Sequence, residues 1–230
     1  MKESPISVQL ISDFNIKLLA QYLVALGDSG SYDVQTTPFG QVYQSLMSSP
    51  KMDEIGVVWT FPESVIPSFA RAAQLREVDH QVCIQETREF ARAVIKFSEG
   101  RRHVFVASWF LKPGFRGYGI LDWKPGIGLS NLIACMNSCL AEELSEASNI
   151  YLLDSTRWLD SVQCAMSPKM WYATKTPFVN KVFENAARNC IAGFKAVSGW
   201  SRKLVIVDLD NTLWGGVIGE TGWQGILSFG

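Results

Sequence analysis

Apolar and polar positions along the chain alternate between short β-type runs and longer helical repeats. Residues 6–11 (ISVQLI) have the character of a strand. From Ile16 through Leu19, Ala20, Leu23 and Leu26 the apolar residues recur at helical spacing, and Gly27 stands where a helix C-cap belongs. Tyr32–Thr36 predicts a second strand, residues 41–48 a short helix closed by Pro50, and residues 54–60 (EIGVVWT) a strand of the buried type. A long amphipathic run follows a proline-marked segment. Val82, Phe90, Val94 and Phe97 are among its apolar positions, and Gly100 ends it.

The pattern then repeats. Residues 103–109 (HVFVASW) predict a strand, and residues 112–128, rich in glycine and proline, a long surface loop. Ser130 is placed to cap a helix through Leu132, Cys135, Met136, Cys139, Leu140 and Leu144. Ile150–Leu153 predicts a strand that ends on Asp154. Residues 177–197 read as helix, broken by Ser198-Gly199, and residues 203–207 as a last strand.

Alternating strands and helices with continuous apolar strands imply an α/β fold: a doubly wound, mostly parallel sheet of flavodoxin-like layering, covered on both faces. Chemistry in such sheets sits beyond the carboxyl ends of the strands. Those ends are Ser12-Asp13, Thr60-Phe61, Ser108-Trp109, Asp154-Ser155 and Asp208-Leu209-Asp210.

The last of these carries the strongest chemical signal. Asp208 and Asp210 directly follow the apolar run Leu204-Val205-Ile206-Val207, and strand alternation puts both carboxylates on one side. One carboxylate can attack phosphorus and become an aspartyl phosphate. A second, two residues on, can protonate the leaving oxygen and then activate water. The pair also suits Mg²⁺, a hard cation that takes oxygen ligands and screens an anionic nucleophile from an anionic substrate. Asn211 and Thr212 add short polar groups, and Leu213-Trp214-Gly215-Gly216 follow as support for the turn.

The string Asp208-Leu209-Asp210-Asn211-Thr212 resembles the first motif of the haloacid dehalogenase superfamily. Its continuation from Leu213 to Gly222 (LWGGVIGETG) resembles the FkbH-like branch, subfamily IIIC, as does the segment from about Ser167 to Trp200. The resemblance implies that Asp208 is nucleophile and Mg²⁺ ligand. It implies that Asp210 is acid and base and offers its backbone carbonyl to the metal. It further implies a phosphatase or glyceryl-transfer activity on a phosphorylated small molecule such as 1,3-bisphosphoglycerate, with loading of an acyl carrier protein in polyketide or surface-polysaccharide biosynthesis. Only 22 residues follow Asp208 in the 230-residue sequence. A phosphatase domain needs on the order of 100 residues. The expectation is therefore of the front edge of such a domain, without its later Ser/Thr, Lys and acidic motifs.

In FkbH-like proteins the preceding region resembles an SGNH-hydrolase-like domain, which implies three segments: residues 1–165 as that domain, 166–200 as a helical connection and 201–230 as the start of the phosphatase domain. The SGNH pattern places a nucleophilic serine after the first strand in Gly-Asp-Ser, and Asp-x-x-His near the end. Here the strand ends Leu10-Ile11-Ser12-Asp13-Phe14-Asn15, so with Asp13 in the Asp place, Phe14 falls where the nucleophile belongs. Neither histidine, His80 or His103, lies in Asp-x-x-His. The expectation is a hydrolase scaffold that has lost its catalytic residues and serves binding, with an esterase acting through Ser12 as the rival reading. Ser12, Asp13 and Asn15 either line a pocket at the sheet edge or cap the first helix.

Composition narrows the classes further. Lys and Arg number 21 against 22 Asp and Glu, a formal charge of −1, which gives no basic excess for nucleic acid or an anionic membrane. The five cysteines form no Cys-x-x-Cys pair, which predicts reduced thiols. The start lacks the basic-then-apolar pattern of a signal peptide, and no run approaches the roughly 18 apolar residues of a membrane helix. A cytoplasmic protein is expected.

Overall fold

Five strands of the described chain form one sheet: β1 (Ile6–Ser12), β2 (Tyr32–Thr36), β3 (Ile55–Trp59), β4 (His103–Ala107) and β5 (Ile150–Leu153). Every pairing is parallel and the order is β2-β1-β3-β4-β5. The chain first winds outward from β1 to β2, then reverses through β3, β4 and β5. The switch point therefore falls between β1 and β3. The computed structural model describes residues 5–27, 32–51, 53–160 and 162–199, with two short strands beyond them.

Helices α1 (Lys17–Leu26), α2 (Val42–Leu46), α3 (Pro62–Val65), α4 (Pro67–Ala72), α5 (His80–Ser98), α6 (Leu129–Leu144), α7 (Pro168–Thr174) and α8 (Asn180–Val197) complete the described architecture. The pleat sorts the strand residues between two faces. Ile11, Val58, Val104 and Val106 join α2, α4, α5 and α6 in one apolar cluster. Leu10, Val57, Trp59 and Phe105 are buried on the opposite side. There the ring of Trp59 meets Phe183 of α8, with centroids 5.7 Å apart. Gly56 lies under α5, where a Cβ would come within 2.5 Å of the Phe97 ring, so only glycine lets that helix sit so close.

At the amino end of the sheet Arg101 and Glu54 are buried together. Arg101 Nε lies 3.0 Å from Glu54 Oε2, in ion-pair contact without hydrogen-bond alignment. The remaining guanidinium nitrogens donate to Phe97 O, Gln9 Oε1 and Ser48 O.

Several elements differ from the sequence expectation for local reasons. Residues 62–72 hold two short helices, each opened by a proline at its first position, where the missing N–H has no partner to lose. The helix expected from 177 starts at Asn180, because Phe178 forms a β-bridge with Met166. The N-cap of α6 is Gly128 rather than Ser130, since the Asp122 carbonyl already accepts the Asn131 amide. Val82 is 45% exposed, because the buried stripe of α5 runs through Cys83, Phe90, Val94 and Phe97. The strand expected at 203–207 lies outside the described residues.

The chain divides into two units, Met1–Ile191 and Ala192–Gly230. In the second, strand β6 (Trp214–Gly215) pairs antiparallel with β7 (Leu227–Ser228), Trp214 opposite Ser228 and Gly215 opposite Leu227.

Candidate functional site at the carboxyl edge of the sheet

The loop after β1 is fixed from three directions. Ser12 Oγ accepts a hydrogen bond from the Phe14 amide at 3.2 Å. Asp13 turns across the switch point. Its Oδ1 accepts from the Phe61 amide at 2.9 Å, and its Oδ2 accepts from the Ser64 hydroxyl on α3. Asp13 thereby caps the amino end of α3 from a distant strand. Burial pushes its carboxyl above the usual carboxylate range, an effect that the Ser64 hydroxyl and Phe61 amide oppose.

Phe14 lies in an aromatic cluster, with ring centroids 5.2 Å from Trp59, 5.2 Å from Phe61 and 5.7 Å from Phe178. Trp59 in turn stacks on Phe178 and meets Trp158 edge-on. The position that a nucleophile would occupy after β1 is thus filled by a buried ring, 3% exposed.

Asn15 ties the loop to the far end of the unit. Its amide donates to Lys175 O at 2.8 Å, and Nδ2 donates to Thr174 O at 3.2 Å. Its Oδ1 accepts from the Lys17 amide, closing the first turn of α1. Beside it opens a cleft of about 410 Å³ lined by Phe14, Asn15, Ile16 and Lys17, by residues 36–39, and by Thr174 and Lys175. Asn15 therefore both holds the first turn of α1 and lines a cavity, while Asp13 caps α3 instead and neither Ser12 nor Asp13 lines the cleft.

The other strand ends are closed by their own hydroxyls. Ser155 Oγ donates to Ser108 O at 2.6 Å, and the Ser155 amide donates to Ser108 Oγ. Trp109 Nε1 donates to Thr60 Oγ1 at 3.3 Å. Asp154 caps the 3₁₀ turn Ser155–Trp158, and the Thr156 hydroxyl holds its carboxyl below the usual range. Among the described residues no hydrogen bond joins a histidine to Ser12 or Asp13. His103 opens β4 at the opposite end of the sheet, roughly 15 Å of strand away. His80 begins α5. Burial lowers both imidazole pKa values.

The loop of Gly126 and Gly128 before α6 closes on itself. A Cβ on Gly128 would stand 2.0 Å from the Asp122 carbonyl oxygen, which accepts the Asn131 amide. The glycine serves loop closure there. Among the five free cysteines, Cys83, Cys139 and Cys190 are buried and Cys135 and Cys164 exposed. The structure alone separates these two groups.

Of the motif expected to carry phosphoryl chemistry, Trp214 and Gly215 form β6. Asp208, Asp210, Asn211, Thr212 and Gly216 lie outside the described residues. Among the described residues, no group of three or more His, Cys, Asp or Glu side chains could hold a metal. None of the described helices is long and apolar enough to cross a membrane.

No family model and no curated protein matches the sequence. Solved structures do match. The N-terminal part of the protein BF1531 from Bacteroides fragilis, containing a phosphatase domain and complexed with Mg, superposes with a TM-score of 0.77 at 18% identity over 96% of this chain. This chain spans 60% of that structure's length. A GDSL-like lipase candidate from Parabacteroides merdae superposes with a TM-score of 0.51 at 8% identity, covering 86% of this chain and 98% of the other. The chain thus has the α/β fold shared by a Mg-complexed, phosphatase-containing structure and a GDSL-like protein.

Proposed function

We propose that the chain joins an α/β binding module to the opening segment of an FkbH-like, aspartate-nucleophile phosphatase or glyceryl-transfer protein. The observation that carries this reading is the string from Lys203 to Trp214, in which an apolar run leads directly into Asp208-Leu209-Asp210-Asn211-Thr212. The fold likeness to a phosphatase-containing structure over nearly the whole chain supports it.

In this reading an Asp208 carboxylate oxygen attacks phosphorus, the bond from phosphorus to the leaving oxygen breaks, and Asp210 gives that oxygen a proton. Asp210 then takes a proton from water as the water attacks the aspartyl phosphate, which releases inorganic phosphate and restores Asp208. Two hard carboxylates two residues apart fit Mg²⁺, so Asp208 and the Asp210 carbonyl would hold it. The ion would supply charge neutralisation between nucleophile and substrate. The substrate is a phosphorylated small molecule, with a 1,3-bisphosphoglycerate-derived glyceryl group as the specific candidate and an acyl carrier protein as the acceptor.

The amino-terminal unit binds or orients in this reading, and cleaves no ester. A phenylalanine stands in the nucleophile's place, the edge hydroxyls are engaged in local bonds, and among the described residues no histidine bonds to Ser12. A fluorophosphonate probe should leave Ser12 unlabelled.

The deciding experiment is phosphate release by the gene product that carries this sequence, with and without Mg²⁺. The substrates are 1,3-bisphosphoglycerate and simple phosphate monoesters. Asp208→Asn should lower a Mg²⁺-dependent rate by about a thousandfold or more. Equal release by wild type and variant would remove Asp208 from the chemistry.

A further inference from the structure

We infer that the cleft between the ends of β1 and β2 and the turn after α7 is a binding site for a phosphate monoester, with the phosphate held between Lys17 and Lys175. The inference does not depend on the role of Asp208, because every group it uses belongs to the amino-terminal unit.

Size and place come first. At about 410 Å³ the cleft falls in the range of small-molecule sites, and it opens beyond the carboxyl ends of two parallel strands, beside the switch point. Its charge is one-sided. Lys17 and Lys175 both line it, and among the described residues no carboxylate does. Both side chains lie on the exposed surface, and among the described residues neither takes part in an ion pair; the Lys175 ammonium stands 5.2 Å over the Trp171 ring, a contact that supplies no counter-charge. Two cations with no anion among the described lining residues match a ligand carrying two negative charges, which a phosphate monoester does near neutral pH.

The two lysines come from opposite ends of the unit, yet share one frame. Asn15 accepts the Lys17 amide on one side and donates to Lys175 O and Thr174 O on the other. The spacing between the two cationic segments is therefore set before any ligand arrives. Preorganisation of this kind reduces the ordering penalty of binding. The rest of the lining is mixed. Thr36 offers a hydroxyl, the Thr37 hydroxyl is turned to Leu10 O at 3.2 Å, and Phe14, Ile16, Pro38 and Phe39 offer an apolar wall for the carbon part of the ester. Phe39 is 57% exposed, so the wall reaches the mouth of the cleft.

The test is an amide chemical-shift titration of the ¹⁵N-labelled chain with methyl phosphate, inorganic phosphate, acetate and glycerol. Methyl phosphate should give saturable shifts at Asn15, Lys17, Thr37, Thr174 and Lys175. The double variant Lys17→Gln/Lys175→Gln should bind at least tenfold more weakly with an unchanged melting profile. Lys96→Glu, on the exposed face of α5, should bind as wild type. Absence of saturation, or equal affinity in the double variant, would overturn the site. Equal affinity for acetate or glycerol would overturn its assignment to a phosphate dianion.

Discussion

The carboxylate of Asp13, one residue past β1, accepts the backbone amide of Phe61, two residues past β3, at 2.9 Å. That bond spans the switch point of the sheet. It spares a buried amide from being orphaned, and the Ser64 bond to the other carboxylate oxygen fixes α3. Asp13→Ala should destabilise the unit by about 1–3 kcal/mol, the penalty for leaving such groups unsatisfied. The pH dependence has a definite sign. The Asp13 pKa is raised in the folded state, so the fold binds this proton more tightly than the unfolded chain does. Its contribution is largest below the unfolded carboxylate pKa and declines as pH rises through the folded one. Urea melts between pH 4 and pH 7 should show wild type gaining on Asp13→Asn as pH falls.

The buried pair of Arg101 and Glu54 should respond asymmetrically to mutation. Removing either partner leaves the other charge in the interior, which costs about 3–5 kcal/mol. Replacing both with Glu54→Leu/Arg101→Met should recover most of that loss. A double-mutant cycle by chemical denaturation measures the coupling. Simple additivity of the two single losses would show that the pair is not coupled.

Gly128→Ala should disturb the loop before α6. The new methyl would meet the Asp122 carbonyl at 2.0 Å, and a backbone group cannot rotate away as a side chain can. A loss of about 1–3 kcal/mol in thermal or chemical melts is expected, typical of overpacking. Gly114→Ala, where a Cβ meets nothing within 4 Å but φ is +83°, should show only the smaller backbone penalty.

The thiols should separate by reactivity. Cys135 and Cys164 are exposed and should react with a disulfide reagent in the folded protein. Cys83, pushed up to about 11, and Cys190, pushed up to about 12, are held as thiols mainly by burial. They and buried Cys139 should react only on unfolding. Two fast equivalents and three slow ones are the expected count.

The parallel sheet was legible because its strands are continuous apolar runs, and five of them fall within two residues of where periodicity put them at each end. The helices at 62–72 were not, and that at 168–174 was expected only through the resemblance that makes 166–200 a helical connection. They are too short for a 3.6-residue repeat to emerge, and prolines that read as breakers are their first residues. At the candidate site, Asp13 and Asn15 were singled out as residues, and Phe61 as a strand end, but the bonds between them and their partners were not foreseen. Phe61, Ser64 and Lys175 lie far from them in sequence, and no local pattern encodes a hydrogen bond between Asn15 and Thr174 across 159 positions. Lys17 and Lys175 gave no sequence signal, because a lysine at a helix start or after a helix end reads as ordinary solvated surface.

The Asn15 tie also has a consequence for the order of folding. β1 is an interior strand, with β2 on one side and β3 on the other, yet its carboxyl end is sealed by Lys175, Phe178 and Phe183, near the end of the unit. A chain emerging from the ribosome can pair its strands early but cannot shield Phe14 and Trp59 until those late residues arrive. Parallel pairing is already slow because its contacts are distant in sequence. The unit Met1–Ile191 therefore closes only once its last segment has been made, and until then its aromatic edge stays uncovered.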